Sequence, residues 1–233
     1  MRVKIFADGA NEQSMIDRNN SDLISGLTTN PTLIQKSGVT DYSSFIKRML
    51  QTINEKSFSV EVVSDDLEEM YKQAKTIASW GDNVYVKIPI TNTKGETVYD
   101  IVKRLSDEGV KVNVTAMMTI EQVNHILPAL ANSPAAYISI FAGRIADTGI
   151  DPMEIMTDTM TTLGAYPQVE LIWASPRELL NIFQADSIGC HIITCTDDII
   201  KKLSLHGKDL TEYSLDTVQM FYDDAQKLNY TIE

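Results

Sequence analysis

Positive charge is scarce in this chain: 20 Lys and Arg stand against 32 Asp and Glu, a net charge of −12. Such an acidic protein repels nucleic acid and anionic membranes, so neither is expected as a partner. An anionic substrate would need a local cluster of basic groups. Cysteine and histidine are scarcer still, with two and three copies. Cys190 and Cys195 have neither CxxC nor zinc-finger spacing, so reduced thiols are expected. His125, His191 and His206 lack ligand spacing, which argues against a zinc-dependent lyase; no metal or cofactor is expected. No apolar run reaches the ~18 residues of a membrane span. The apolar stretch after Met1 is too short for a signal peptide, so a cytoplasmic protein is expected. Without such a signal, the glycosylation patterns Asn113-Val114-Thr115 and Asn229-Tyr230-Thr231 carry no weight.

What remains is an ordinary globular composition over 233 residues, 43% hydrophobic and 22% charged, enough for one large domain. Short apolar runs alternate with helical patterns throughout. The strand candidates are Val3–Ala7, Ile24–Thr28, Phe58–Val63, Val84–Ile88, Lys111–Val114, Tyr137–Phe141, Val169–Trp173 and Ile188–Thr194. Between them, Leu67, Met70, Tyr71, Ala74, Ile77 and Ala78 share one helical face, as do Val98, Ile101, Val102 and Leu105 before a stop at Gly109. Met153, Met156, Met160 and Leu163 form another stripe, read as core. Asn30-Pro31 places a cap before a first-turn proline. Thr119–Gln122 and Ser175–Glu178 read as capping boxes. Eight strand–helix units in a chain a little under ~250 residues predict a (β/α)8 TIM barrel over residues 1–210. A doubly wound sheet is the competitor, but no Gly-rich dinucleotide loop or composition break supports it. Residues 211–233 are expected to add a helix over Tyr213–Leu228, apolar at Leu215, Val218, Phe221, Tyr222, Ala225 and Leu228, that packs on the barrel or on a neighbouring subunit. A homo-oligomer is therefore expected.

The most telling residue is Lys87, inside Val84-Tyr85-Val86-Lys87-Ile88-Pro89-Ile90. A buried ammonium is costly, and burial favours the free amine, a nucleophile toward carbonyl carbon. The bland alternative is a strand-end lysine snorkelling to water. Barrel sites gather at the C-terminal strand ends, and the unusual polar residues fall there. Asp8 ends strand one and Asn30 follows strand two. Glu61 lies late in strand three and Lys87 on strand four. Asn113 and Thr115 close strand five. Ser139, Phe141 and Arg144 close strand six, and Ser175 and Arg177 follow strand seven. Strand eight offers nothing distinctive. Each could serve as cap, surface charge or rim ion pair, but fold requirements alone do not call for all of them on one rim.

Taken in order, the motifs Asp8-Gly9-Ala10-Asn11, Thr28-Thr29-Asn30-Pro31-Thr32, Glu61-Val62, Val86-Lys87-Ile88-Pro89, Asn113-Val114-Thr115, Ser139–Arg144 and Ala174-Ser175-Pro176-Arg177 resemble the transaldolase family, specifically its short members, nearly end to end. The resemblance implies that Lys87 forms a Schiff base with a ketose. It implies that Asp8 is the base in carbon–carbon cleavage and that Glu61 works through a water that Thr115 helps hold. Asn30, Asn113 and Ser139 match groups binding the three-carbon donor fragment, and Ser175, Arg144 and Arg177 match the phosphate site. Two guanidiniums suit a sugar phosphate, and a helix start at Ser175 would add backbone N–H groups.

The short subfamily also contains fructose-6-phosphate aldolases. These resemble Gln, Ala and Tyr where this chain has Glu61, Ser139 and Phe141, so the resemblance implies a transaldolase of the pentose phosphate pathway, with the aldolase as alternative. Pro176 stands where the family usually has an aromatic residue, and Thr91–Gly95 looks one residue longer than in most relatives. A different class, a barrel that binds sugar phosphates or builds a ring without catalysis, would not need the full polar rim.

Overall fold

A computed structural model of the protein describes residues 1–228. Among these, eight parallel strands close into a barrel in sequence order: β1 (Lys4–Asp8), β2 (Ile24–Thr28), β3 (Ser57–Glu61), β4 (Val84–Pro89), β5 (Val112–Met117), β6 (Ala136–Ile140), β7 (Val169–Trp173) and β8 (Ile192–Cys195). The fold is the expected TIM barrel. Helices alternate with the strands: α1 (Glu12–Asn19), α2 (Pro31–Lys36), α3 (Tyr42–Thr52), α4 (Leu67–Ala78), α5 (Tyr99–Asp107), α6 (Ile120–Ile126), α7 (Ala142–Asp147), α8 (Met153–Leu163), α9 (Leu180–Ser187) and α10 (Asp197–Lys201).

The local chemistry explains most boundaries. Asn30 Oδ1 accepts from the Leu33 N–H at 3.0 Å and Pro31 opens α2. The Thr119 capping box forms as expected, with Gln122 reaching back to its backbone. Some expectations need correction. Strand eight starts at Ile192, not Ile188, because Ile188 ends α9 and Gly189 takes a left-handed turn at φ +73°. His191 thus precedes the strand, where its Nδ1 accepts from the Leu171 N–H at 3.0 Å. Strand three stops at Glu61, leaving Val63 exposed. Ser175 does not cap a helix: it is left-handed at φ +60°, and α9 begins five residues on at Leu180. The acceptor for that loop is Asn181 Oδ1, which takes the N–H groups of Arg177 (2.7 Å) and Glu178 (3.1 Å).

The barrel interior is plugged below the site. Phe6, Tyr137, Ile172, Ala174 and Ile192 form one buried cluster. Tyr85 stacks on Tyr137 at 4.0 Å, and Phe6 meets the same ring edge-on at 5.7 Å, a favoured aromatic geometry. Gly26 is required here, since a Cβ would lie 2.6 Å from the Phe6 ring. With the lower interior filled, side chains one layer higher face an open mouth.

Contacts divide the chain after Ile200. In the second unit, α11 (Leu210–Leu228) begins three residues before the expected Tyr213 because Asp209 Oδ1 accepts from the N–H groups of Thr211 and Glu212. Leu215, Val218, Phe221 and Tyr222 on it are exposed. Residues 229–233, the end of the expected 211–233 segment and the Asn229-Tyr230-Thr231 pattern, lie outside the described residues.

Candidate active site

Strand register builds the centre of the site. Glu61, Lys87 and Asn113 are direct neighbours on β3, β4 and β5. Strand residues two apart share a face, so Ser59 lies beneath Glu61 on the same inner side. Lys87 is only 7% exposed. Its Nζ stands 3.3 Å from Glu61 Oε2 and donates to the Thr29 carbonyl at 3.3 Å. Asn113, fully buried, donates to Ser59 Oγ at 3.0 Å and accepts from Ser139 Oγ at 2.7 Å. This chain fixes the Asn113 amide orientation across three strands.

The carboxylates are desolvated. Burial pushes the Asp8 carboxyl above its ordinary range, against the opposing pull of Lys87 and of the Thr28 hydroxyl that donates to it at 2.7 Å. Burial also raises Glu61, Lys87 lowers it, and the nearby Asp8 charge raises it further. Two carboxylates held high around one amine is the arrangement in which protons move at near-neutral pH.

Glu61 is held by a residue the sequence did not single out. The Tyr42 hydroxyl donates to the Glu61 carbonyl at 2.9 Å and accepts from the Glu61 N–H at 3.1 Å. The β2–β3 pairing ends at Thr28 and Ser59, so one phenol takes over where the ladder stops. Thr115 Oγ1 is buried with no protein partner. An unpaired buried hydroxyl is costly and is a ready anchor for a water or a substrate hydroxyl.

The opposite wall carries the cations. Gly143 in α7 presses on the end of β7 so closely that a Cβ would sit 1.6 Å from the Ser175 carbonyl oxygen. Only glycine permits this approach, and it brings Arg144, Ser175 and Arg177 to one wall. Arg177 Nε donates to Asp147 Oδ1 at 2.9 Å, Nη2 pairs with Asp147 Oδ2, and Nη1 donates to Ser175 Oγ at 3.1 Å. This pairing holds the Asp147 carboxyl below its usual range.

All eleven residues singled out from the sequence line one cavity of about 500 Å³: Lys87, Asp8, Glu61 and Thr115 with Asn30, Asn113 and Ser139, and Phe141, Arg144, Ser175 and Arg177 on the cationic side. Its walls also include Thr28, quoted above only within a motif, and Lys36, Ala116 and Thr194, which the sequence does not single out. Thr194 corrects the view that strand eight offers nothing. Thr194 lies two residues after the inward-facing Ile192 and so shares its face. Ala116 (φ +63°) and Ser175 (φ +60°) are the non-glycine residues with left-handed backbone among the described residues, and both face this cavity. Such strain concentrates at functional sites. No group of three or more His, Cys, Asp or Glu among the described residues could hold a metal ion. No helix among them is long and apolar enough to cross a membrane.

Comparison with known proteins fits this geometry. Residues 5–232 match the family described as Transaldolase/Fructose-6-phosphate aldolase. A protein of Thermoanaerobacter sp. (strain X514) named "Probable transaldolase" is 34% identical over 231 residues, covering 99% of this chain and 100% of that protein. Another of the same name from Dehalococcoides mccartyi is 36% identical over 205 residues, covering 88% and 91%. Among solved structures, KGPDC from Streptococcus mutans superposes with a TM-score of 0.56 at 9% identity, over 86% of this chain and 90% of that one. The native KDPGal structure gives 0.53 at 11% identity, over 84% and 83%. At such low identity the two structures speak for the barrel alone. The full-length sequence match speaks for more: this chain belongs to the transaldolase/fructose-6-phosphate aldolase family.

Proposed function

We propose that the protein is a transaldolase, moving a dihydroxyacetone unit from a ketose phosphate such as fructose 6-phosphate or sedoheptulose 7-phosphate to an aldose phosphate through a Schiff base on Lys87. The observation that carries this reading is the buried Lys87 amine beside two raised carboxyls, facing a wall of guanidiniums. The Lys87 amine adds to the ketose carbonyl carbon. The carbinolamine hydroxyl leaves as water, with Glu61 passing the proton through a water that the unpartnered Thr115 hydroxyl holds. The product is a protonated imine. Asp8 then takes the proton of the hydroxyl on the fourth carbon as the bond between the third and fourth carbons breaks. That bond's electron pair moves into the imine, giving an enamine on Lys87, and the phosphate-bearing aldehyde departs. A second aldehyde accepts the enamine's electron pair and recovers the proton from Asp8, and water releases the new ketose. Asn30, Asn113 and Ser139 bind hydroxyls of the donor fragment, while Arg144, Ser175 and Arg177 receive the phosphate. The chemistry needs no cofactor or metal. We place it in the cytoplasm, in the pentose phosphate pathway.

Borohydride reduction in the presence of fructose 6-phosphate tests this directly: the three-carbon fragment should be found on Lys87 by peptide mass. An adduct on another lysine, or none, would rule the mechanism out.

Phe141 favours transfer over release of free dihydroxyacetone. With no hydroxyl, it offers nothing to position water at the enamine, which therefore persists until an aldehyde arrives. Phe141→Tyr is expected to speed dihydroxyacetone release from fructose 6-phosphate without an acceptor; unchanged release would count against this role. Fast release by the unmodified protein would favour the aldolase alternative.

The exposed apolar residues of α11 suit burial against a second copy, so a homo-oligomer is expected in solution. Light scattering should give a mass above the monomer. Deleting residues 213–233 should lower it, and full-size assembly after that deletion would remove the helix from the interface.

A further inference from the structure

We propose that Lys36 is a specificity residue of this site, supplying one of the two positive charges outside any ion pair that receive the substrate's phosphate. The inference rests on the sugar-phosphate reading above and extends it to a residue that α2 contributes to the cavity wall. Four cations line the cavity: Lys36, Lys87, Arg144 and Arg177. Two are already neutralised, Lys87 by Glu61 and Arg177 by Asp147. Three of the five N–H bonds of Arg177 are also spent, two on Asp147 and one on Ser175. Arg177 is therefore a fixed donor that brings little net charge.

Among the described residues, neither Lys36 nor Arg144 has an ion-pair partner. Arg144 lies over the Phe141 ring, with its guanidinium carbon 5.5 Å from the centroid. A phosphate monoester carries about −1.5 to −2 at pH 7, which two cations outside any ion pair match. The local fold keeps Lys36 in place. It is the last residue of α2, whose start is fixed by the Asn30 cap and Pro31 and whose Ile34 is buried. In a chain of net charge −12, a cation left unpaired at the cavity wall is where an anion gains most. A merely solvated lysine would show no preference between phosphorylated and plain sugars.

The experiment compares the wild type, Lys36→Gln and Lys36→Arg on fructose 6-phosphate and on fructose. The readout is the concentration dependence of the borohydride-trapped adduct on Lys87. In Lys36→Gln the preference for the phosphorylated sugar should fall about fivefold to tenfold, and Lys36→Arg should restore most of it. The wild-type preference should weaken as salt is added, and that of Lys36→Gln should weaken less. An unchanged preference, or an equal loss on both sugars, would overturn the proposal. A calorimetric titration with inorganic phosphate separates the two levels of inference. If the wild type forms no adduct at all, the Schiff-base reading fails. The role of Lys36 still stands if Lys36→Gln weakens phosphate binding, and falls if it does not.

Discussion

Lys87→Met is expected to lose transfer activity by orders of magnitude, at least about 10⁴-fold if nucleophile removal in other covalent enzymes is the guide. Methionine keeps the stem and the packing but has no nitrogen to attack a carbonyl, so the covalent route closes. Stability responds as well. Lys87 is the cation that draws both Asp8 and Glu61 down against their burial. Without it both folded-state pKa values climb further, while the unfolded values stay put. A carboxyl that binds its proton more tightly when folded loses stability as pH rises from the unfolded value through the folded one. Lys87→Met should therefore unfold more easily than the wild type at pH 8, and the gap should close toward pH 4. Denaturant titrations at the two pH values check the sign. Measured transfer near the wild-type rate would remove Lys87 from the chemistry, and a pH-independent gap would mean that the loss is one of packing only.

The site was more legible in the sequence than its supports were. Period-two strands and first-turn signals such as Asn30-Pro31 place polar residues on the correct rim because register transmits position directly: Glu61, Lys87 and Asn113 are neighbours simply by counting along three strands. Tyr42 was not legible. It opens α3, and its link to Glu61 forms beyond the last β2–β3 pair, across nineteen residues of sequence. Ser175 misled for a related reason. Its pattern suits a helix cap, yet its backbone is left-handed where it meets Gly143, and Asn181 serves as acceptor instead. Asp147 escaped notice because nothing local marks its pairing with Arg177, thirty residues away. Contacts across loops thus decide what neither period nor propensity encodes.

Asp8→Asn is expected to divide the reaction and to stabilise the protein in one change. Asparagine keeps an oxygen for the Thr28 hydroxyl, which donates to Asp8 Oδ1 at 2.7 Å, but cannot take a proton. Loss of a positioned base costs about 10²–10⁴-fold. Imine formation depends on Lys87, so borohydride should now trap the intact six-carbon phosphate on Lys87 in place of the three-carbon fragment. The wild-type activity should in turn fall on the acid side at a pH above the ordinary carboxylate range, because burial raises Asp8 from 3.8. The same shift sets the stability effect. Its folded-state pKa exceeds the unfolded one, so charging Asp8 opposes folding, and the wild type loses stability as pH rises through that window. Asparagine, neutral throughout, avoids the loss. The variant should match the wild type near pH 4 and melt higher at pH 8. A melting curve no higher at pH 8 would mean that the pairing of Asp8 with Lys87 outweighs its burial. A three-carbon adduct formed at the wild-type rate would move the base to another residue.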